Sequence, residues 1–165
     1  MASAPEAALA GARARGWTIA TAESLTGGLV AAALTSVGGA SDVFRGGVVA
    51  YALDAKEGVL GVPQEVLAAW GPVSEQVAAA MAEGARRLFG ADVGVATTGA
   101  AGPEPHGGRA PGTFCVGVAS PSGTVGLTEV VSGDRQGVRA KAADRAILAL
   151  CEVCDAVDGP GTRVG

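Results

Sequence analysis

Apolar residues along the chain follow two spacings, one typical of strands and one typical of helices. Short apolar runs at 17–23, 43–51 and 91–99 predict β-strands, and strands at 113–119 and 124–131 form a predicted hairpin. Helical spacing predicts five helices, at residues 3–15, 29–37, 54–60, 74–89 and 135–154. Strands that alternate with helices, together with one hairpin, predict an α/β fold, a three-layer α/β/α sandwich with a mixed sheet.

Turn-forming residues divide these predicted elements. Ser74 is a good N-cap for the fourth helix, and Gly90 follows its last apolar residue. The segment 99–112 contains five Gly and three Pro, which predicts an irregular loop. The tail 158–165 is expected to be frayed. Since no repeat or linker interrupts the pattern, we expect residues 1–165 to form a single domain.

Composition narrows the class of protein. Hydrophobic residues make up 48% of the 165 residues and charged residues 17%, which excludes a disordered chain. The net charge is −4 and no basic run occurs, so we expect no nucleic-acid partner. No apolar run is long enough to cross a membrane and no signal-peptide pattern is present, which predicts a cytoplasmic protein without membrane contact.

Proton acceptors other than carboxylates and thiols are scarce in this sequence. The chain contains one His, two Lys and one Tyr, namely His106, Lys56, Lys141 and Tyr51. Any general base outside the carboxylates and thiols must therefore come from these four side chains.

The segment TAESLTGG places a serine and two glycines between a predicted strand and a predicted helix. One interpretation is that Ser24 is a nucleophile beside an anion or oxyanion site at the helix N-terminus. Thr26, Gly27 and Gly28 would then bind the substrate, and the two glycines let it approach the backbone. The other is that Ser24 or Thr26 simply caps the helix.

A serine nucleophile needs a base, because its hydroxyl is weakly nucleophilic at neutral pH. His106 lies in the irregular loop, where an exposed polar residue is the ordinary expectation. Tyr51 and Lys56 are the better pair, since a partly buried lysine can act as a base and a tyrosine hydroxyl can relay a proton. The alternative is a surface lysine and an aromatic residue at a strand end.

Two further segments are candidate binding elements. Thr98 and Gly99, in TTGAAGP, follow a buried strand, where loops form the ligand crevice of an α/β sheet and backbone N–H groups can complete an oxyanion hole. Arg135 and Arg139 are four residues apart near a helix start, so both could face one phosphate, or they could form salt bridges with Asp134 and its neighbours.

The three cysteines favour no metal site and no disulfide framework. Cys151 and Cys154 form one CxxC pair, but a zinc site needs four ligands, and the sequence has no second pair and one distant His. We therefore expect core helix cysteines and predict no metal and no cofactor.

Six blocks occur in this order along the chain: TAESLTGG, GASDVFRGGVVAYALDAKEGVLGV, GPVSEQVAAAMAEG, ADVGVATTGAAGP, PGT and SGDRQGVR. Together they resemble the C-terminal domain of the competence/damage-inducible protein CinA, the nicotinamide-nucleotide amidase family. The resemblance covers roughly residues 7–152, and without the family's amino-terminal domain we expect a stand-alone version.

The resemblance implies metal-free deamidation of nicotinamide mononucleotide, a small-molecule nucleotide, to nicotinate mononucleotide and ammonia. The family's nucleophile falls on Ser24, and its Tyr and Lys fall on Tyr51 and Lys56. The implied mechanism is that Lys56, assisted by Tyr51, deprotonates Ser24 for attack on the carboxamide carbon. The family tendency also implies a homo-oligomer such as a dimer.

The same resemblance suggests where the rest of the substrate lies. Backbone N–H groups near Gly27 or Gly99 would hold the oxyanion. The phosphate would lie at a helix N-terminus or against Arg135 or Arg139.

The sequence departs from the family pattern near both proposed catalytic segments. Leu25 replaces the usual Cys after the serine, Ala52 replaces the usual Ser or Asn after the tyrosine, and Arg109 stands where Lys is common. Two alternatives therefore stay open: a nucleotide-binding regulatory module with weak or no turnover, and an enzyme acting on another pyridine amide.

Overall fold

A five-stranded mixed sheet lies at the centre of the computed structural model, which describes residues 1–156. The strand order is β2-β1-β3-β4-β5; β1 is parallel to β2 and β3, and the β3–β4 and β4–β5 pairs are antiparallel. The strands are β1 (Ile19–Glu23), β2 (Phe44–Val49), β3 (Val93–Gly99), β4 (Thr113–Ser120) and β5 (Gly123–Val130).

Helices cover both faces of this sheet and complete the three layers. The helices are α1 (Ala4–Ala14), α2 (Leu29–Thr35), α3 (Leu53–Gly58), α4 (Gln64–Trp70), α5 (Glu75–Phe89) and α6 (Arg135–Asp155). Because successive strand residues face opposite sides, Ile19 packs with α1, α2 and α6, whereas Ala20 packs with α5 and the segments before it. The predicted α/β sandwich with a mixed sheet is confirmed.

Helix α5 lies against the sheet at two strand glycines. A Cβ atom on Gly94 would overlap the carbonyl of Ala82, and one on Gly117 would overlap the carbonyl of Ala78. Only glycine permits the backbones of helix and strand to come this close. The position of α5 relative to the sheet is therefore fixed by direct backbone contact.

Most predicted elements are present within one to three residues of their predicted ends. Ser74 caps α5 by accepting the Val77 N–H at 3.2 Å, and Gly90 ends that helix with a φ of 58°. Helix α4 was not predicted; it follows Pro63, and none of its residues is fully buried, although Val66 and Leu67 pack against the core. The tail 158–165 lies outside the described residues. No helix within residues 1–156 is long and apolar enough to cross a bilayer.

The connections between the parallel strands diverge at β1. From β1 the chain passes through α2 to β2 on one side, and from β2 it returns through α3, α4 and α5 to β3 on the other side. Carboxyl ends of strands at such a switch point open into a crevice that commonly binds ligands. The segments following β1, β2 and β3 are therefore where a site is expected.

Candidate active site

A cavity of about 320 Å³ lies at this switch point. Its size falls within the range of small-molecule sites. The segments after β1, β2 and β3 and the start of α6 form its wall. The lining residues are Ser24, Leu25, Tyr51, Gly99, Ala101, Gly102, Pro103, Glu104, Pro105, His106 and Arg135.

Ser24 directly follows β1 in a tight turn. Its N–H donates to the carbonyl of Thr97 at 3.0 Å, and its own carbonyl accepts the Gly27 N–H at 3.1 Å. Only 7% of the residue is exposed, yet it lines the cavity. The backbone is thus fixed on both sides while the hydroxyl faces the space that a ligand would occupy.

Lys56, on α3, is 2% exposed and points inward to Ser24. Its Nζ donates to Ser24 Oγ at 2.9 Å, to the Ala50 carbonyl at 3.0 Å and to the Tyr51 carbonyl at 3.2 Å. Burial lowers the pKa of Lys56 from 10.5 to about 8, because desolvation disfavours the ammonium form. The alternative of a surface lysine is wrong.

The three contacts of Lys56 suit both of its protonation states. The ammonium form has three N–H donors and uses them on three oxygens. A neutral amine keeps two donors for the carbonyls of Ala50 and Tyr51, which leaves its lone pair directed at Ser24 Oγ. The geometry therefore allows Lys56 to accept the proton of the serine hydroxyl.

Tyr51 contributes differently from the sequence-based expectation. Its side chain is largely exposed, at 59% for the residue, and its hydroxyl accepts a hydrogen bond from Arg135 Nη2 at 2.7 Å. The carbonyl of Tyr51, rather than its hydroxyl, contacts Lys56. The phenol therefore stabilises the cavity wall.

The two arginines on α6 lie in different places. Arg135 lines the cavity and also donates to the Gly102 carbonyl at 2.9 Å, so it joins two walls. Arg139 donates from Nε to the carbonyl of Leu25 at 2.9 Å and from Nη2 to that of Thr26 at 3.2 Å. Only Arg135 of the pair lies on the cavity wall, and Asp134 caps α6 instead of pairing with either.

Glu23 is a site-forming residue that the sequence reasoning missed. Its carboxylate is 2% exposed and accepts the N–H groups of Val30 at 2.8 Å and Ala31 at 3.1 Å. These are amides of the first turn of α2, so Glu23 caps that helix, and neither Ser24 nor Thr26 does. The only sequence signal was an acidic residue at the end of an otherwise apolar strand.

The remaining predicted binding residues lie around the cavity rather than on its wall, with one exception. Thr26 and Thr98 are fully buried; the Thr98 hydroxyl donates to the Pro72 carbonyl at 2.5 Å. Gly27 and Gly28 have positive φ values of 60° and 109° and form the turn into α2. The exception is Gly99, which lines the cavity.

The N–H of Gly99 is a suitable oxyanion donor. The Thr97 carbonyl accepts the Ser24 N–H, whereas the Ala100 N–H donates to Thr113 of β4. Because the backbone groups of successive strand residues point to opposite sides, the Gly99 N–H points toward Ser24, as the Thr97 carbonyl does. The pairing of β1 with β3 ends at Glu23 and Thr97, two residues before Gly99. By contrast, the Gly27 N–H is occupied by the Ser24 carbonyl.

The irregular loop after β3 supplies the opposite wall. His106 is exposed, as expected, but it lines the cavity together with Glu104. The backbones of His106 and Arg109 pair around two glycines, at 3.1 and 3.0 Å, which makes a tight turn at the loop tip. The polar groups opposite Ser24 are therefore held on an ordered loop.

The cysteines lie away from this cavity. Cys154 is buried on α6, Cys151 is half-buried beside it, and Cys115 lies in β4 next to Thr128. Burial raises the pKa of the Cys154 thiol to about 11. Among residues 1–156, no three His, Cys, Asp or Glu side chains gather as a metal-ion site.

Comparison with known proteins shows which proteins the chain resembles. A CinA-like protein of Anaeromyxobacter sp. (strain K) is 54% identical over 147 residues, which cover 88% of this chain and 36% of that protein. The chain thus spans about a third of that relative's length.

Solved structures show the same fold. The competence or damage-inducible protein from Enterobacter asburiae superposes with a TM-score of 0.87 at 31% identity, covering 94% of this chain and all of that one. The competence/damage inducible protein CihA from Agrobacterium tumefaciens gives 0.81 at 34% identity, covering 91% and 96%. Residues 2–154 match the sequence profile of the CinA C-terminal domain, and the chain belongs to that family.

Proposed function

We propose that the chain is an amidohydrolase that deamidates nicotinamide mononucleotide to nicotinate mononucleotide and ammonia, with Ser24 as nucleophile and Lys56 as base. The observation that carries this proposal is the 2.9 Å hydrogen bond between Lys56 Nζ and Ser24 Oγ, beside a cavity of small-molecule size. A buried lysine with a pKa of about 8 is partly neutral near physiological pH, as a general base must be.

In the first half of the reaction, Lys56 takes the hydroxyl proton as Ser24 Oγ forms a bond to the carboxamide carbon. The carbonyl oxygen becomes an oxyanion, which the N–H of the cavity-lining Gly99 would bind. When the tetrahedral intermediate collapses, the C–N bond breaks and the Lys56 ammonium gives its proton to the leaving nitrogen. Ammonia departs and an ester remains on Ser24.

In the second half, water replaces ammonia. Lys56 takes a proton from water as the water oxygen attacks the ester carbon, and it returns that proton to Ser24 Oγ when the ester breaks. The nicotinate product then leaves as the carboxylate. No step of this sequence requires a metal or a cofactor.

Arg135 is the candidate for the phosphate of the substrate. It lies on the cavity wall, and arginine binds phosphate through paired N–H donors. Its contacts with Tyr51 and Gly102 hold the guanidinium at the cavity. Tyr51 thus supports Arg135 rather than the base, which changes the role that the family resemblance suggested.

The direct test is to incubate purified protein with nicotinamide mononucleotide and to follow nicotinate mononucleotide by chromatography. Wild type should form product, and Ser24→Ala should lose at least a thousandfold in kcat. Undiminished turnover in Ser24→Ala would overturn the serine mechanism. Nicotinamide and its riboside, assayed in parallel, show whether another pyridine amide is preferred.

The runner-up is a nucleotide-binding domain with little turnover. It is favoured by Leu25, a buried cavity-lining residue where the family usually has Cys. Saturable binding of the mononucleotide by calorimetry, without product from well-folded protein, would establish this alternative instead.

A further inference from the structure

Glu23 holds one side of the turn that carries Ser24. The Glu23 carboxylate accepts two N–H groups of α2 and, at 2.7 Å, the hydroxyl of Thr26. Thr26 Oγ1 is also 2.7 Å from Thr97 Oγ1. Since the Thr26 proton goes to the carboxylate, Thr97 must donate to Thr26, and the polar chain ties β3 and α2 to the end of β1.

Arg139 holds the other side of this turn. Its Nε and Nη2 donate to the carbonyls of Leu25 and Thr26, the two residues after the nucleophile. In a trans peptide the N–H points opposite to the carbonyl, so Arg139 also directs the next two amides. The Gly27 N–H accordingly points back to the Ser24 carbonyl.

We propose that Glu23 is a positioning residue that, with Arg139 on the opposite side, fixes the turn carrying Ser24 within reach of Lys56. This proposal rests on the proposed function, because it assigns Glu23 and Arg139 to the support of that nucleophile. The N-terminal amides of α2 are then engaged by the Glu23 carboxylate, and Arg139, unlike Arg135, does not line the cavity, so neither is the candidate for a substrate phosphate.

Glu23→Gln is the informative variant. Glutamine has nearly the same shape, but its amide nitrogen must face an N–H or hydroxyl donor, so at least one contact is lost. We expect kcat to fall about 100-fold, as for a small displacement of reacting atoms, while KM stays within about twofold. A variant that keeps kcat within about twofold of wild type would overturn the proposal.

The matched control is Ser3→Ala, which removes the cap of α1, where Ser3 accepts the Glu6 N–H, in a helix that contributes no residue to the cavity lining. It should lower Tm by roughly 2–4 °C without changing kcat. A loss of kcat in this control comparable to that of Glu23→Gln would show that stability alone explains the effect, against the proposal.

Arg139→Lys tests the other side of the turn in a chain that keeps its charge. A lysine lacks the rigid fork of donors, so we expect kcat to fall about tenfold with nicotinamide mononucleotide and with the riboside alike. A rise in KM confined to the mononucleotide would identify Arg139 as a phosphate ligand and overturn its place in the proposal.

Amide hydrogen exchange separates failure of this proposal from failure of the proposed function. The amides of Val30 and Ala31 should exchange roughly 10- to 100-fold faster in Glu23→Gln, the range expected for losing bonds to a charged group. This measurement needs no substrate. If wild type forms no product, the proposed function fails, and unchanged exchange in Glu23→Gln would independently refute the restraint by Glu23.

Discussion

The side of the cavity at Ser24, behind which Lys56 lies, is buried, whereas the facing wall formed by residues 103–106 is exposed. Behind Ser24, the Lys56 ammonium contacts three oxygens and the Glu23 carboxylate accepts three hydrogen bonds. On the exposed wall, the side chains of Glu104 and His106 face solvent. Under the proposed function, the chemistry takes place on the desolvated side and recognition on the solvated side.

The largest effect should come from Lys56→Met, which keeps the length of the side chain and removes the base. We expect kcat for nicotinamide mononucleotide to fall about 10³- to 10⁴-fold, the contribution of a well-placed general base. Lys141→Met is the matched control and should leave kcat unchanged, because that exposed lysine, within residues 1–156, donates its hydrogen bond to the Ser132 carbonyl, away from the cavity. Substantial activity in Lys56→Met would show that the chemistry does not depend on the buried side of the cavity.

The next largest effect is that of pH. Because Lys56 must be neutral to act as a base and its pKa is about 8, kcat/KM should rise about tenfold per pH unit below pH 8 and level off above it. A rate profile that is flat between pH 6 and pH 8 would contradict the assignment of Lys56.

The lowered pKa of Lys56 also predicts how the stability of the fold changes with pH. Folding lowers the Lys56 pKa from 10.5 to about 8, so the unfolded chain binds more protons between these values and the free energy of unfolding rises with pH across that window. Lys56→Met should be more stable than wild type at pH 7, with the difference shrinking between pH 8 and 10.5. Denaturant titrations at pH 7 and pH 10 measure this change.

A smaller effect is expected from Tyr51→Phe, which removes the hydrogen bond to Arg135. Since the phenol supports the arginine and does not touch Lys56, we expect KM to rise and kcat/KM to fall about tenfold, with the pH profile unchanged. A loss of kcat beyond about 100-fold, or a shifted pH profile, would instead support the hypothesis that the Tyr51 hydroxyl relays a proton.

The smallest effect should come from the exposed wall. His106→Ala removes a side chain that lines the cavity but makes no hydrogen bond within the described part of the chain. We expect kcat to be unchanged and KM to move by less than about threefold, measured with the mononucleotide and with the riboside. A large loss of kcat would make this wall part of the chemistry.

The sequence identified the strands and the longer helices because their apolar spacing and caps are local. Ser74 before α5 and Gly90 after it act within a few residues, and both were found. Helix α4 was missed because it is only seven residues long and begins after Pro63 without a side-chain cap, so no local signal marks its start.

Site residues were predictable where a residue type was rare or a motif was local, and less so where partners are distant. Lys56 was predicted because the sequence contains only four candidate bases other than carboxylates and thiols. The partner of the Tyr51 hydroxyl is 84 residues away, and Arg139 reaches Leu25 across 114 residues, which no local pattern reveals. Glu23 acts on amides seven and eight residues ahead, farther than an ordinary N-cap residue reaches.

The close contact of α5 with the sheet has a consequence for the size of ligand that fits. The segment just before α5 includes Pro72, whose carbonyl accepts the Thr98 hydroxyl and whose ring lies against Gly107 in the loop of the exposed wall. A side chain larger than glycine at Gly94 or Gly117 would push α5 outward and carry that loop with it. The width of the cavity is therefore set partly by two glycines in the middle of the sheet.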